Sequence, residues 1–256
     1  MGKAFAEWGP QGVEVLRDRV AALVIVDVLS FSTAVDVAVA RGALVVPFPL
    51  GDRTAAQAAA HRAGAVLAEP RKTAQGSGFS LSPLSLTGIA GGTRLLLPSP
   101  NGSRLSLAGG AVPVFTGCLR NANAVAAAVR AMAGEGAVGV VPAGERWPDG
   151  SLRPAIEDLL GAGAILDALG LPLSAEARVA RDAFRAAAPD LATILGASVS
   201  GRELIGRGFE KDVEFAAALN VSAAAPSLRD GMYRAAALYN PHPAPTLPLR
   251  TGSLRD

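Results

Sequence analysis

An acidic residue closes an apolar run early in the chain. In "LVIVDVLSFSTAVDVAVARG", Asp27 is followed by Ser30, Ser32 and Thr33, and then by a helical pattern. A strand end that delivers a carboxylate and hydroxyls to a helix N-terminus is suited to phosphoryl chemistry. The free N–H groups and dipole of the helix favour an anion, and hydroxyls add donors. Asp27 would repel that anion unless a cation stood between them. Mg²⁺ does this, taking one or two carboxylates together with phosphate oxygens. The plainer reading is an N-cap cluster with Asp27 as a local backbone acceptor.

Other apolar runs end in similar polar groups. "LLLPSPNGSRL" places Ser99, Asn101, Gly102 and Ser103 after a strand, where an ordinary Asn-Gly turn is the alternative. "FTGCLRNANAVA" places Thr116, Arg120 and Asn121 between a strand and a helix, and Arg120 has the fork geometry to clamp an anion. "VVPAGERWPDGSLRPAIEDLLGAG" places Glu145, Arg146 and Arg153 in a loop, then Glu157 and Asp158 at a helix start. Adjacent helical residues point about 100° apart, so one of Glu157 and Asp158 is expected to face the site. In a parallel sheet, four such clusters would converge on one edge, where open α/β sheets bind ligands.

The elements that must position these groups alternate. Strands are expected over 22–28, 44–48, 66–68, 94–97, 112–115 and 137–141. Helices are expected over 32–41, from the Asp52 cap to 62, over 121–132, 155–169 and 174–188, and a short one near 202–206. This pattern predicts an α/β fold with a largely parallel sheet flanked by helices, with room for two similar, intertwined α/β halves. Residues 1–239 read as a single domain, and the Pro-rich 240–256 as a disordered tail.

Composition narrows the chemistry. Half of the 256 residues are hydrophobic, and net charge is only +2. No basic run with interleaved aromatics is present, so nucleic acid is not an expected partner. No apolar run is long enough for a membrane span, and no signal peptide is indicated, so a cytoplasmic protein is expected. A homodimer is left open. Cys118 is the lone cysteine, and His61 and His242 are the two histidines, so thiolate cages and histidine clusters are unavailable. "GEGAVG" at 134–139 precedes its strand instead of following one, which removes the dinucleotide-binding geometry. No P-loop pattern occurs.

The quoted segments, together with "PSPNGSRL" and "GRELIGRGFEKDVEFAAALN", occur in an order that resembles the 2-phosphosulfolactate phosphatase family from about residue 20 to about residue 239. The resemblance implies an α/β, Mg²⁺-dependent phosphatase. Its reaction would convert 2-phospho-3-sulfolactate to 3-sulfolactate and phosphate, a step towards coenzyme M. It points to Asp27, Asn101, Gly102, Asn121, Glu157, Asp158, Gly208 and Asp212. The expected site then has Asp27, Arg120 and Glu157 as catalytic groups. Ser30, Ser32, Thr33, Asn101, Gly102, Ser103, Asn121, Glu145 and Arg146 surround the substrate. Asp27, Glu157, Asp158 and Asp212 are the candidate metal ligands. One departure bears on the substrate: the family commonly has Arg where this chain has Ser30. Either Arg71, Arg120 or Arg146 supplies that charge, or the chain acts on a related small acidic phosphoester, with a shifted or broader substrate range as the expectation. A non-catalytic sensor for a phosphorylated or sulfonated metabolite is the alternative function.

Overall fold

The computed structural model describes residues 2–71 and 78–236; the expected tail over 240–256 lies outside them. The strands are β1 (Ala4–Ala6), β2 (Ala22–Val26), β3 (Leu44–Pro49), β4 (Val66–Leu67), β5 (Arg94–Ser99), β6 (Val114–Gly117), β7 (Val138–Pro142), β8 (Glu145–Arg146), β9 (Leu152–Arg153), β10 (Pro226–Arg229) and β11 (Met232–Ala235). The helices are α1 (Gly9–Leu16), α2 (Phe31–Ala40), α3 (Arg53–Ala63), α4 (Gly102–Ala108), α5 (Ala122–Ala133), α6 (Ile156–Leu169), α7 (Ala175–Ala187), α8 (Leu191–Ala197), α9 (Val199–Ile205) and α10 (Glu210–Ala217).

Nine strands form one sheet in the order β1-β7-β2-β6-β10-β11-β3-β5-β4, while β8 and β9 form a separate hairpin. Five of the eight neighbouring pairs are parallel, so the fold is α/β with a mostly parallel sheet. The remaining three pairs are antiparallel and lie side by side at the centre. Three reversals in succession leave the β3-β5-β4 block running against the β1-β7-β2-β6 block. The chain interleaves the two, since β1 and β2 enter one block, β3 to β5 the other, and β6 and β7 return to the first.

This corrects the expectation that all the polar clusters share one edge of a parallel sheet. Twist averages about 20–25° per strand. Over the five steps from β2 to β5 it accumulates to roughly 100–125°, which turns opposed blocks towards a crossing arrangement. The loops after β2 and β5 thereby meet.

Alternation along β2 sorts the core. Ala22, Val24 and Val26 face one way and pack with Val125 and Val129 of α5 and Ile165 and Leu169 of α6. Leu23 and Ile25 face the other way, towards Val13 and Leu16 of α1, Val35 of α2 and Leu105 of α4. In the opposed block, Leu96 packs under Ala56 and Ala60 of α3. The helix α3 is bounded as its residues dictate: Asp52 accepts from the Thr54 N–H at 2.8 Å, and Gly64 takes φ +56° at the other end. Among the described residues, no helix is long and apolar enough to cross a membrane.

Tyr233 of β11 secures the central seam. It is fully buried, meets the Phe31 ring edge-on at 6.1 Å, and donates its hydroxyl to Ser106 Oγ at 2.7 Å. Tyr233→Phe is expected to cost about 1 kcal/mol, one buried hydrogen bond. Tyr233→Ala is expected to cost about 3–5 kcal/mol, as for other buried aromatics. Urea denaturation with an unchanged slope measures both, and an alanine cost below about 1 kcal/mol would show that the seam is held elsewhere.

Candidate active site

Asp27 follows β2 and is buried. Its Oδ1 accepts from the N–H of Phe31, the first residue of α2, at 3.2 Å. Its Oδ2 accepts from the N–H of Gly102, the first residue of α4, at 2.8 Å. One carboxylate therefore joins the N-termini of two helices that follow strands of opposed blocks. Asp27 is itself the anion at the start of α2, as the plainer reading of the sequence had it. Gly102 is required by close approach: a Cβ there would lie 2.3 Å from the Phe31 ring and 2.8 Å from Asp27 Oδ2.

A second carboxylate repeats the arrangement. Asp158 accepts from the Val28 N–H at 2.7 Å and the Gly144 N–H at 2.9 Å, tying the loop after β2 to the loop after β7. Its neighbour Glu157 is buried to a similar degree. Both side chains join the cluster because each acts electrostatically on, or is acted on by, Asp27. No described residue donates a hydrogen bond to the Glu157 carboxylate. Glu145, on β8, completes the group, with Oε2 accepting from Asn101 Nδ2 at 2.8 Å.

Burial and mutual repulsion set the proton affinities. Burial pushes the Asp27 carboxyl up to about 6; the N–H groups of Phe31 and Gly102 oppose this, Glu157 adds to it, and Arg71 offsets part. Burial likewise pushes Glu145 up to about 7, with Asp27 and Glu157 contributing and Asn101 opposing. Asp158 is raised well above the usual carboxylate range by burial, then by Asp27 and Glu157. Asn101, Glu145 and Arg146 line a cavity of about 220 Å³ beside this cluster, and the Arg146 side chain is exposed.

The expected hydroxyl donors are spent elsewhere. Ser32 Oγ bonds with Thr116 Oγ1 at 2.6 Å and accepts from the Asp27 N–H at 2.9 Å. Thr33 Oγ1 donates to the Val28 carbonyl at 2.8 Å, and Ser103 Oγ to the Leu97 carbonyl at 3.1 Å. All three are fully buried, closing carbonyls that the strands leave unpaired as the chain turns into a helix. Ser30, the N-cap of α2, remains close to the cluster, and its Oγ accepts from Arg71 Nη2. Arg71 is thus the cation that reaches position 30.

Arg120 and Asn121 are placed apart from the cluster. The Arg120 guanidinium pairs with Asp36 at 3.2 Å, donates to the Phe215 carbonyl at 3.1 Å and stacks on the Phe215 ring. Asp36 is fully buried in α2, and a buried charge demands a partner. Asn121 Oδ1 accepts from the Cys118 N–H at 2.9 Å, which holds the turn after β6. Asp212, on α10, accepts from Ser82 Oγ at 2.7 Å and lies 3.9 Å from Arg71 Nη2, so Arg71 links it to the cluster. Gly208 takes φ +85° in the turn between α9 and α10. Sequence reasoning passed over Asp36 and Ser82. Among the described residues, no three Asp, Glu, His or Cys side chains are grouped as a ready-made metal cage.

The family model described as 2-phosphosulpholactate phosphatase matches residues 12–231. A probable 2-phosphosulfolactate phosphatase of Carboxydothermus hydrogenoformans is 33% identical over 220 residues, 83% of this chain and 87% of that protein. A 2-phosphosulfolactate phosphatase of Methanothermobacter thermautotrophicus is 36% identical over 152 residues, 59% of this chain and 62% of that protein. With β2 to β10, α2 to α10 and the acidic cluster falling inside the matched span, this chain belongs to the 2-phosphosulfolactate phosphatase family, a family of phosphoric monoester hydrolases.

Proposed function

We propose that this chain hydrolyses 2-phospho-3-sulfolactate to 3-sulfolactate and phosphate, with Mg²⁺ as cofactor. One observation carries the metal: Asp27, Glu145, Glu157 and Asp158 stand within one another's fields, and burial and repulsion raise the proton affinity of Asp27, Glu145 and Asp158. Such a group is stable in its charged form only with a cation nearby. Mg²⁺ asks for one or two protein carboxylates and completes its shell with water and phosphate oxygens, so the lack of a three-ligand cage among the described residues suits it. Asp27 and Glu157 would hold it. When bound, it offsets charge developing on the phosphoryl oxygens.

The chain's own residues supply the rest. Water oxygen bonds to phosphorus, the ester O–P bond breaks, and the leaving oxygen takes a proton. Glu145 has its proton affinity near neutrality and is held by Asn101, so it is the group placed to move that proton. Arg71 supplies positive charge that acts on Asp27. Asp158 keeps the loops after β2 and β7 in register and stays out of the chemistry.

Phosphate release from 2-phosphosulfolactate tests the reading directly. Chelation should abolish it and Mg²⁺ should restore it. Asp27→Asn should lose about a hundredfold or more in kcat, the scale for removing one key electrostatic group, while remaining folded. Full turnover in excess chelator would remove the metal, and near-normal turnover by folded Asp27→Asn would reduce Asp27 to a structural staple.

Stability against pH gives an independent check. Asp27 and Glu145 bind protons up to about 6 and about 7 when folded, whereas unfolded carboxyls release them near about 4. Between those limits the native state holds more protons, so the metal-free protein loses stability as pH rises. Its Tm should fall from about pH 4 to about pH 7, and added Mg²⁺ should raise Tm more at pH 8 than at pH 5. A metal-free Tm that climbs through this window, or Mg²⁺ shifts equal at both pH values, would contradict the assignment.

A further inference from the structure

Beyond Arg71 lies a second cavity, of about 410 Å³, walled by Leu50, Leu67, Pro98 and Pro100 and carrying Arg53, Arg71 and Arg207. Two acids face it, and both are engaged. Glu69 pairs with Arg53 at 2.9 Å, and Asp52 caps α3. Arg207 is left without an acidic partner among the described residues, and Arg71 is compensated in part by Asp212 at 3.9 Å and by the field of Asp27. Arg71 donates to Ser30 Oγ and, at 3.1 Å, to the Leu81 carbonyl. Its Nε is buried without a partner among the described residues. Arg207, just past α9, is exposed and has no ion pair among the described residues. The two guanidiniums repel one another across the cavity. Phe209 lies under Arg71, with the guanidinium carbon 5.2 Å from the ring centroid.

Two like charges on separate elements, set against an apolar wall, make a receptor for an anion that both can grip. A planar carboxylate is satisfied by one guanidinium fork. A sulfonate has three oxygens directed apart and accepts from two guanidiniums at once. Arg71 also acts on Asp27, so the cavity adjoins the phosphoryl site. We propose that Arg71 and Arg207 form the subsite for the sulfonate of the substrate, which makes Arg207 a specificity-determining residue; this rests on the 2-phosphosulfolactate reading above.

The test compares 2-phosphosulfolactate with 2-phospholactate, which has a methyl group in place of the sulfomethyl group, on the full chain with Mg²⁺. Arg207→Ala should raise KM for 2-phosphosulfolactate about ten- to a hundredfold, the value of a charge-assisted contact, and move KM for 2-phospholactate less than about twofold. Arg207→Lys should recover part of the loss. An equal change on both substrates, or none on either, overturns the subsite while leaving the phosphatase reading intact. Failure of the unaltered chain to release phosphate from either substrate counts against the phosphatase reading instead. Calorimetric binding of 3-sulfolactate and lactate then decides the subsite. Weaker binding of 3-sulfolactate alone by Arg207→Ala supports it, and unchanged binding overturns it.

Discussion

The Asp27 carboxylate holds the architecture together at one point. Its two oxygens take the first N–H of α2 and the first N–H of α4, and these helices follow strands that run in opposite directions. Each bond combines a charged acceptor with the positive end of a helix, the favourable arrangement for both partners. The approach is so close that position 102 tolerates no side chain. Asp158 does the same for the loops after β2 and β7. Three loops from two sheet blocks are fixed by two side chains, and the remaining acids fall into place around them.

That economy sets up a conflict. The same carboxylates that staple backbone N–H groups repel one another, and burial already disfavours their charge. A protonated carboxyl keeps one good acceptor oxygen but weakens the other bond. The fold and the chemistry therefore ask for the same thing, a positive charge at the cluster. Arg71 answers in part from one side, anchored by Ser30 and Leu81.

Much of this was legible from local pattern. Asp27 was found because a Val- and Ile-rich run stops at it and a helical period begins after it. Asn101-Gly102 was visible as a turn, although what Gly102 is for depends on Phe31, far away in sequence. What local pattern could not reveal was partnership at long range. Asp36 sits in "AVDVAVA", where it looks like the wet face of an amphipathic helix. It is buried because Ser222, 186 residues later, and Arg120 reach it, and this draws Arg120 away from the substrate. Ser82 and Asp212 meet across 130 residues in the same way. The hydroxyls of Ser32, Thr33 and Ser103 were read as ligand donors because composition does not show which carbonyls a turning chain leaves open. The hairpin of β10 and β11 did leave a trace: Asp230-Gly231, at φ +52° and +75°, is a two-residue hairpin turn. Its strands are four residues each, too short for alternation to mark them out.

The position of that hairpin governs when the protein can become itself. Strands β3 and β6 are complete by residue 117, yet they have no contact in the sheet until residues 226–235 are inserted between them. During vectorial synthesis the nascent chain holds two separate parallel blocks, each with a bare inner margin capable of pairing with the wrong strand. Long-range closure of this kind is slow, because chain entropy must be surrendered before the contacts form. Emergence of the β10–β11 segment from the ribosome is thus the event that converts two half-sheets into one.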